Sequence, residues 1–423
     1  MRVAYSILTY LLLPVYGCYW FFRGIGNRSY WDRIGQRFGR NYPRLVGGCI
    51  WVHAVSVGEV QASVPLVNAL AERFPDKHLL ITTVTPTGAA RVKLLFGNTV
   101  QHCYIPFETP NAVTSFFDSI EPEIALIMET EIWPNLYQEC GRREIPLVLV
   151  SARISPKSAK SYRKFLPLFK ETLSHGIVIA AQSQVDADRF RSLGAAPERT
   201  WVTGNIKFDI ELAEDLLDRG AVLRRDNFED RPVWVAASTH DREEQMVLSA
   251  HRLVQARYPN ATLVLIPRHP ERFAAVRSYL HKEGCRFISR TDGLPCTSDT
   301  EVLLVDTMGE VPLFYAAADV AFVGGTLVPI GGHNLLEPAA MGRPVITGPY
   351  LFNTQDIANM FERRGASITV NNAGQLGGAV ADLFADPTLA ADIGARGLEI
   401  VRQNRGSLER LLTLLEPLIG DST

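Results

Sequence analysis

A chain of 423 residues with a formal charge of −2 and 21% charged side chains is long for one core and carries no overall basic field. That argues for two domains and against a nucleic-acid partner. The six cysteines, Cys18, Cys49, Cys103, Cys140, Cys285 and Cys296, form no CxxC pair and accompany no histidine cluster at metal-ligand spacing, so they read as reduced, mostly buried thiols of a cytoplasm-facing protein.

The first element is uncharged from Val3 to Phe22, "VAYSILTYLLLPVYGCYWFF", close to the roughly 20 residues that cross a hydrocarbon core. Only Arg2 precedes it and no small-x-small cleavage site follows, which disfavours a signal peptide. Tyr16, Tyr19, Trp20, Phe21 and Phe22 gather at one end, and Arg23, Arg28, Arg33 and Arg37 follow. An aromatic belt followed by positive charge predicts a membrane anchor over residues 1–23, with the body of the chain on the cytoplasmic side. Pro14 and Gly17 can kink the segment, so a shallow monotopic anchor stands beside a spanning one.

Beyond the anchor, short apolar runs alternate with amphipathic stretches, the pattern of β-α units on parallel sheets. Cys49–Val52, Leu79–Val84, His102–Ile105, Ile124–Met128, Leu147–Val150, Ile177–Ala181 and Trp201–Val202 form a first series of predicted strands. A polar stretch, "AEDLLDRGAVLRRDNFEDRP", then marks a boundary. Val233–Ala237, Thr262–Ile266, Val302–Val305, Val320–Val323 and Val345–Ile346 form a second series, and a helix near Arg396–Leu418 closes the chain. The expectation is an α/β protein of two Rossmann-like domains facing a cleft, residues 24–212 and 213–423, the latter including the C-terminal helix.

Candidate chemistry lies at the strand ends. In "HAVSVGEVQASVPLVNAL", Glu59 falls in the first turn of a helix that follows a buried strand. It suits either dipole complementation or a base at the mouth of a parallel sheet. "METEIWPN" puts Glu129 and Glu131 at another strand end, with Glu129 nearer the strand, and Arg153 and Lys207 also follow strands as candidate contacts for a donor or acceptor anion. No GxGxxG follows a strand and no Gly-Lys dipeptide occurs, which sets aside NAD enzymes and P-loop NTPases. Glycines concentrate instead in "FVGGTLVPIGGHNLLEPAAMGRPVITGPY", where amides near Gly324, Gly325, Gly331 and Gly332 and a helix start near Asn334 can approach a phosphate, with Glu337 a turn further on. "LVLIPRHPERF" adds Arg268 as a phosphate partner, and Met308-Gly309-Glu310 opens a further helix. Asp186-x-Asp188 has the spacing of a DxD metal motif, but it sits in a helix start where residues two apart do not share a face, so both acids read as N-terminal charges.

The second half resembles the nucleotide-sugar-binding half of GT-B glycosyltransferases. More narrowly, the chain resembles the 3-deoxy-D-manno-octulosonic acid (Kdo) transferases of lipopolysaccharide assembly along nearly its whole length. The resemblance is carried in order by "HAVSVGEV", "ETEIWPN", "SARIS", "GNIKFD", "ASTHDREE", "PRHPER", "TMGE" and "GGHNLLEPA". It implies CMP-Kdo as donor, a lipid A precursor (lipid IVA) as acceptor and inversion by single displacement. The leaving CMP carries one phosphate, which Arg268 and helix N-terminal amides can stabilise without a divalent ion, so neither a metal nor a cofactor is expected. The resemblance carries the base role to Glu59, and CMP contacts to Pro267, Arg268, Met308, Gly309, Glu310, Asn334, Leu335, Leu336 and Glu337. A GT-B transferase using a UDP-sugar and another lipid acceptor is the alternative. "SPKSAKSYRKFLPLFK" mixes basic and apolar residues in a way that suits an anionic bilayer surface.

Overall fold

The computed structural model describes residues 1–45, 47–173, 176–210 and 212–420. They divide into two compact units, one of residues 1–209 with 404–423 and one of residues 210–403. Among the described residues each unit is built round a parallel sheet of seven strands. In the first unit these are β1 (Cys49–His53), β2 (Leu79–Thr83), β3 (Gln101–Tyr104), β4 (Pro122–Met128), β5 (Leu147–Ala152), β6 (Val178–Ala181) and β7 (Thr200–Val202). Their spatial order is β3-β2-β1-β4-β5-β6-β7. The direction of winding therefore reverses between β1 and β4, the switch point at which ligands of open α/β sheets bind. Helices cover both faces, which is why β1, β2 and β5 are buried at every residue and read as unbroken apolar runs rather than alternating ones.

The second unit repeats the plan with β8 (Val233–Thr239), β9 (Thr262–Pro267), β10 (Phe287–Ser289), β11 (Val302–Leu304), β12 (Val320–Val323), β13 (Val345–Thr347) and β14 (Ser367–Thr369). The order β10-β11-β9-β8-β12-β13-β14 puts its reversal between β8 and β12. The edge strands β10 and β14 are three residues each and only partly buried, too short for periodicity in the sequence to reveal.

The second unit begins at Ile210, three residues before the expected boundary, and two helices differ from the sequence reading. The polar stretch after Ala213 contains a helix, Leu216–Asn227, of the second unit, and only Leu216, Gly220 and Leu223 of it are buried. Gly220 lets it close on its neighbour: a Cβ there would lie 2.5 Å from the Ala316 Cβ. The C-terminal helix, expected in the second domain, belongs to the first unit. The terminal helical stretch breaks at Gly406, at φ +80°, and the last helix, Ser407–Ile419, packs Leu411, Leu412, Leu415 and Ile419 on the core formed by Ile50, Val52 and Ile206. Asp209 secures the break, accepting hydrogen bonds from the Gly406 and Leu408 N–H groups, each at 2.6 Å.

The N-terminal helix, Arg2–Gly26, is long and apolar enough to cross a membrane, and little of it is buried. It nevertheless touches the first unit along its length. Arg2 pairs with Glu171 at 3.4 Å, the Ser6 hydroxyl donates to the Asn135 side chain at 2.8 Å, and Tyr16 stacks on Phe107. Near its end the Arg37 guanidinium lies 3.7 Å from the Trp20 ring centre. Its other side exposes Val3, Leu11, Val15 and Phe22.

Candidate active site

In the first unit, polar groups gather where the strands flanking the switch point end. After β1 the chain turns at Ser56 into the helix Val57–Ala62, and Glu59 reaches back to accept a hydrogen bond from the Ser56 N–H at 3.0 Å. This is the capping box that a helix-start acid ordinarily forms. The carboxyl is not ordinary, however. Burial, then the like charges of Glu131 and Glu129, push its pKa from 4.5 up to about 7, against the pull of the Ser56 and Val55 backbone. A helix-start position by itself favours an ionised, weakly basic carboxylate, so a base there needs desolvation. The dipole contributes only about 0.3–1 kcal/mol, and burial beside two acids outweighs it.

Glu129 follows β4 with φ +57°, a left-handed conformation uncommon outside glycine. Its carboxylate accepts hydrogen bonds from Arg153 Nε at 2.7 Å and Lys207 Nζ at 2.8 Å. Burial acts to raise its pKa, but Lys207 and Arg153 hold it below its usual value. Arg153 and Lys207, singled out as separate anion contacts, are thus joined through Glu129. Glu131 accepts from Trp133 Nε1 at 2.7 Å, and burial leaves its pKa raised despite that bond. The three carboxyls consequently stand in different states: Glu129 is fixed as an anion, while Glu131 and Glu59 are poised closer to neutrality.

In the second unit the cluster forms after β8, β9 and β12. Glu243 opens the helix Glu243–Arg257 and is fully buried. One of its oxygens accepts from the His240 N–H at 3.2 Å and the Gly325 N–H at 2.7 Å. The other accepts from the Thr326 and Leu327 N–H groups at 3.0 and 2.9 Å. The Gly324 N–H donates to the Ala237 carbonyl and the Gly332 N–H to that of Gly325. The amides of Gly324, Gly325 and Gly332 are therefore committed within the protein, the second of them to a carboxylate, which leaves Gly331 and the helix start near Asn334 from the phosphate cradle expected there. Glycine is required at Gly324 because a Cβ would lie 2.5 Å from the Ser238 carbonyl oxygen.

What faces outward is different chemistry. Arg268 follows β9, and among the described residues its guanidinium forms no ion pair. The imidazoles of His240 and His333 meet with their Nε2 atoms 2.8 Å apart. Asn334 donates from Nδ2 to Glu337 at 3.1 Å and accepts the Leu336 N–H at 3.0 Å, fixing the start of the helix Leu336–Ala340. Burial raises the Glu337 pKa, while Asn334 and the charge of Arg268 oppose it, so Arg268, Asn334 and Glu337 act on one another. Leu335 and Leu336 are buried, and their side chains serve the core. Pro267 ends β9, while Met308 and Gly309 are exposed after β11. Glu310 is engaged elsewhere, accepting from Arg290 at 2.9 Å and from the Thr307 hydroxyl, and the Arg290 bond holds its pKa down. Sequence reasoning missed the clamp made by Glu243 and the partnership of His240 with His333. Their signals were the histidine and paired acids after a strand in "ASTHDREE" and the histidine of "GGHNLLEPA".

Residues 32–210 match the family described as 3-deoxy-D-manno-octulosonic-acid transferase (kdotransferase). Over 424 residues the chain is 40% identical to the 3-deoxy-D-manno-octulosonic acid transferase of Haemophilus influenzae, covering 99% of both chains. The chain belongs to the Kdo transferase family. The transferase is likewise 34% identical to its counterpart from Bordetella pertussis over 99% of its own length and 100% of that protein. Spinosyn rhamnosyltransferase SpnG shares its fold at 14% identity, with a TM-score of 0.51 over 87% of this chain and all of that one. A solved C-terminal CMP-Kdo binding domain of WaaA from Acinetobacter baumannii is 34% identical, covering 44% of this chain and 98% of that one, with a TM-score of 0.43. The transferase is a glycosyltransferase of GT-B fold, with two parallel-sheet Rossmann-like units.

Proposed function

We propose that this transferase moves Kdo from CMP-Kdo to a lipid A precursor, in one inverting displacement, with Glu59 as general base. The observation that carries the base assignment is the environment of Glu59, at a switch point of the first sheet with a pKa raised to about 7. A general base works best when its pKa lies near the operating pH, because it is then both ionised and a competent proton acceptor. The acceptor hydroxyl would attack the Kdo anomeric carbon as Glu59 takes its proton. Glu129, held anionic between Arg153 and Lys207, would orient that hydroxyl or the donor while the two cations face anionic groups of the substrates.

On the donor side, Arg268 would meet the single phosphate of CMP, and the backbone from Asn334 to Glu337 would meet the nucleoside. Pro267, Met308, Gly309 and Glu310, at the ends of neighbouring strands, would complete this side. Asp186 accepts the Ile154 N–H at 3.1 Å and Asp188 pairs with Arg191 at 2.9 Å, which supports their reading as structural acids of a helix start. Transfer is therefore expected to be insensitive to EDTA.

The N-terminal helix supports a cytoplasmic-face position in the membrane interface. A helix held against the first unit from Arg2 to Trp20 lies along that unit, and its exposed Val3, Leu11 and Phe22 suit a shallow anchor. Arg2 reaches Glu171 on the helix Leu166–Leu173, which follows the basic helix Pro156–Arg163. The N-terminal end of the anchor is thus tied to the helix next to the cationic stretch, an arrangement that suits an anionic lipid surface. Mass spectrometry of a lipid A precursor incubated with CMP-Kdo, EDTA and detergent-solubilised protein tests the reading. A gain of one or more Kdo units, absent with Glu59→Gln, is expected. Transfer from a UDP-sugar instead, or near-normal transfer by Glu59→Gln, would overturn the donor or the base assignment respectively.

A further inference from the structure

The histidines of the second unit form an arrangement that neither the fold nor the base explains. His240 and His333 place Nε2 against Nε2 at 2.8 Å, with ring centroids 5.1 Å apart and planes within 1°. Stacked rings would not bring their nitrogens into line; coplanar rings meeting edge to edge do, at a separation equal to the hydrogen bond plus two ring radii. One imidazole therefore donates its Nε2–H to the bare Nε2 of the other. His269 closes on His240 edge-on at 5.3 Å.

Both backbones are held in place. Glu243 binds the N–H of His240 and that of Gly325, whose carbonyl in turn accepts the N–H of Gly332, next to His333. Gly325, at φ +69°, leaves room for the pair, since a Cβ there would lie 3.0 Å from the His333 ring. The surrounding charge is one-sided. Arg268, Arg272 and His269 face the pair, while the neighbouring acids are already engaged: Asp241 and Glu244 with Arg272, Glu337 with Asn334, and Glu243 with four amides. Burial, then these neighbours, depress His240 to about 4 and His333 to about 3, so the empty pair is neutral at physiological pH.

We propose that the His240–His333 pair is a proton acceptor keyed to the leaving phosphate, becoming a hydrogen-bonded imidazolium–imidazole when CMP gains its second negative charge. This rests on the reading that the second unit binds the CMP donor. In the transfer, the bond from the anomeric carbon to the phosphate oxygen breaks with its electrons remaining on the phosphate. The acceptor oxygen bonds that carbon, its proton goes to Glu59, and the proton on the histidine pair comes from solvent. Arg268 carries its charge before and after this step, so it stabilises the bound ester as well as the departing nucleotide. A charge that appears on the pair only as the phosphate becomes dianionic favours the transition state over the ground state, which is the condition for raising turnover.

Isothermal titration calorimetry of the full-length protein in buffers of different ionisation enthalpy, from about pH 8 down to about pH 6.5, counts the protons taken up on binding. Two probes separate the charge states: CMP, whose second phosphate pKa is about 6, and the methyl phosphodiester of CMP, which keeps one negative charge. The expected result is proton uptake with CMP that grows as pH falls and exceeds that of His333→Asn and His240→Asn by about half a proton near pH 6.5, with little uptake for the ester. Equal uptake by the original protein and both variants would place the proton on the phosphate and overturn the proposal, as would CMP binding without uptake. Failure of CMP to bind the original protein would overturn the donor reading beneath it. Binding heat retained by the variants shows that they are folded.

Discussion

Glu59→Gln is expected to abolish transfer and, above neutral pH, to make the first unit more stable. In the folded protein the carboxyl pKa is raised from 4.5 to about 7, so the native state holds this proton more tightly than the unfolded chain does. The resulting stabilisation is complete below about pH 4.5 and is lost as pH rises through 7. At about 1.4 kcal/mol for each tenfold gain in proton affinity, the ionised carboxylate costs up to about 3 kcal/mol at high pH, reduced in so far as it reaches water. Glutamine keeps an oxygen for the Ser56 N–H but never ionises. Urea unfolding at pH values on either side of this window, followed by the fluorescence of Trp51 and Trp133, should show the variant gaining stability only at the alkaline end. The same ionisation should make kcat/KM of the original protein fall as pH drops below 7. A variant destabilised equally at both pH values would refute the raised pKa, and one that still transfers sugar would refute the base.

The other predictions probe what surrounds these groups. Glu131→Gln removes the larger of the two like charges acting on Glu59, so the acid limb of the pH–rate profile should move to lower pH, and an unmoved limb would show that burial alone raises the Glu59 pKa. Glu243→Gln turns an NH2 group toward two of the four amides that Glu243 now accepts; with about 1–3 kcal/mol for each buried donor left unpaired, the second unit should lose about 2–6 kcal/mol. Trp234, the only tryptophan between residues 210 and 403, reports that unfolding directly. Gly348→Ala would set a Cβ 2.2 Å from the Thr326 carbonyl oxygen, on the turn whose Thr326 hydroxyl accepts the Gly348 N–H at 2.7 Å. It should raise the KM for donor more than it lowers the melting temperature, because the strain falls on the loop leading to His333.

Much of this was legible because burial on both faces leaves a plain mark in a parallel strand. The runs Cys49–Val52, Ile124–Met128, Val233–Ala237 and Val320–Val323 stand out as apolar segments, and the turns after the first, second and fourth carry the candidates Glu59, Glu129 and the glycines from Gly324. The edge strands β10 and β14 left no such mark, since three half-buried residues carry no period. The helix Leu216–Asn227 was hidden because it buries only Leu216, Gly220 and Leu223 and closes on its neighbour through a glycine, which sequence pattern reads as a break. The destination of the last helix was hidden for another reason. Its apolar stripe says that it packs, but Asp209, which binds its first turn nearly two hundred residues away in the chain, decides where.

Within the site, the sequence showed which residue types were present but not how they divide their protons. Glycines after β12 suggested amides free for a phosphate, yet Glu243 takes the Gly325, Thr326 and Leu327 amides and backbone carbonyls take those of Gly324 and Gly332. With those amides engaged inside the protein, neutralising a departing phosphate would, in the proposed transfer, fall largely to side chains, to Arg268 and to imidazoles whose charge can change during the reaction. On the acceptor side the logic is reversed, because a base must be kept from ionising too readily. Glu129 remains anionic through Lys207 and Arg153, and burial, then the charges of Glu131 and Glu129, raise the basicity of Glu59. Each cluster thus combines burial with neighbouring charges to set a titratable group, Glu131 and Glu129 acting on Glu59, and Arg268 with His269 on the histidine pair.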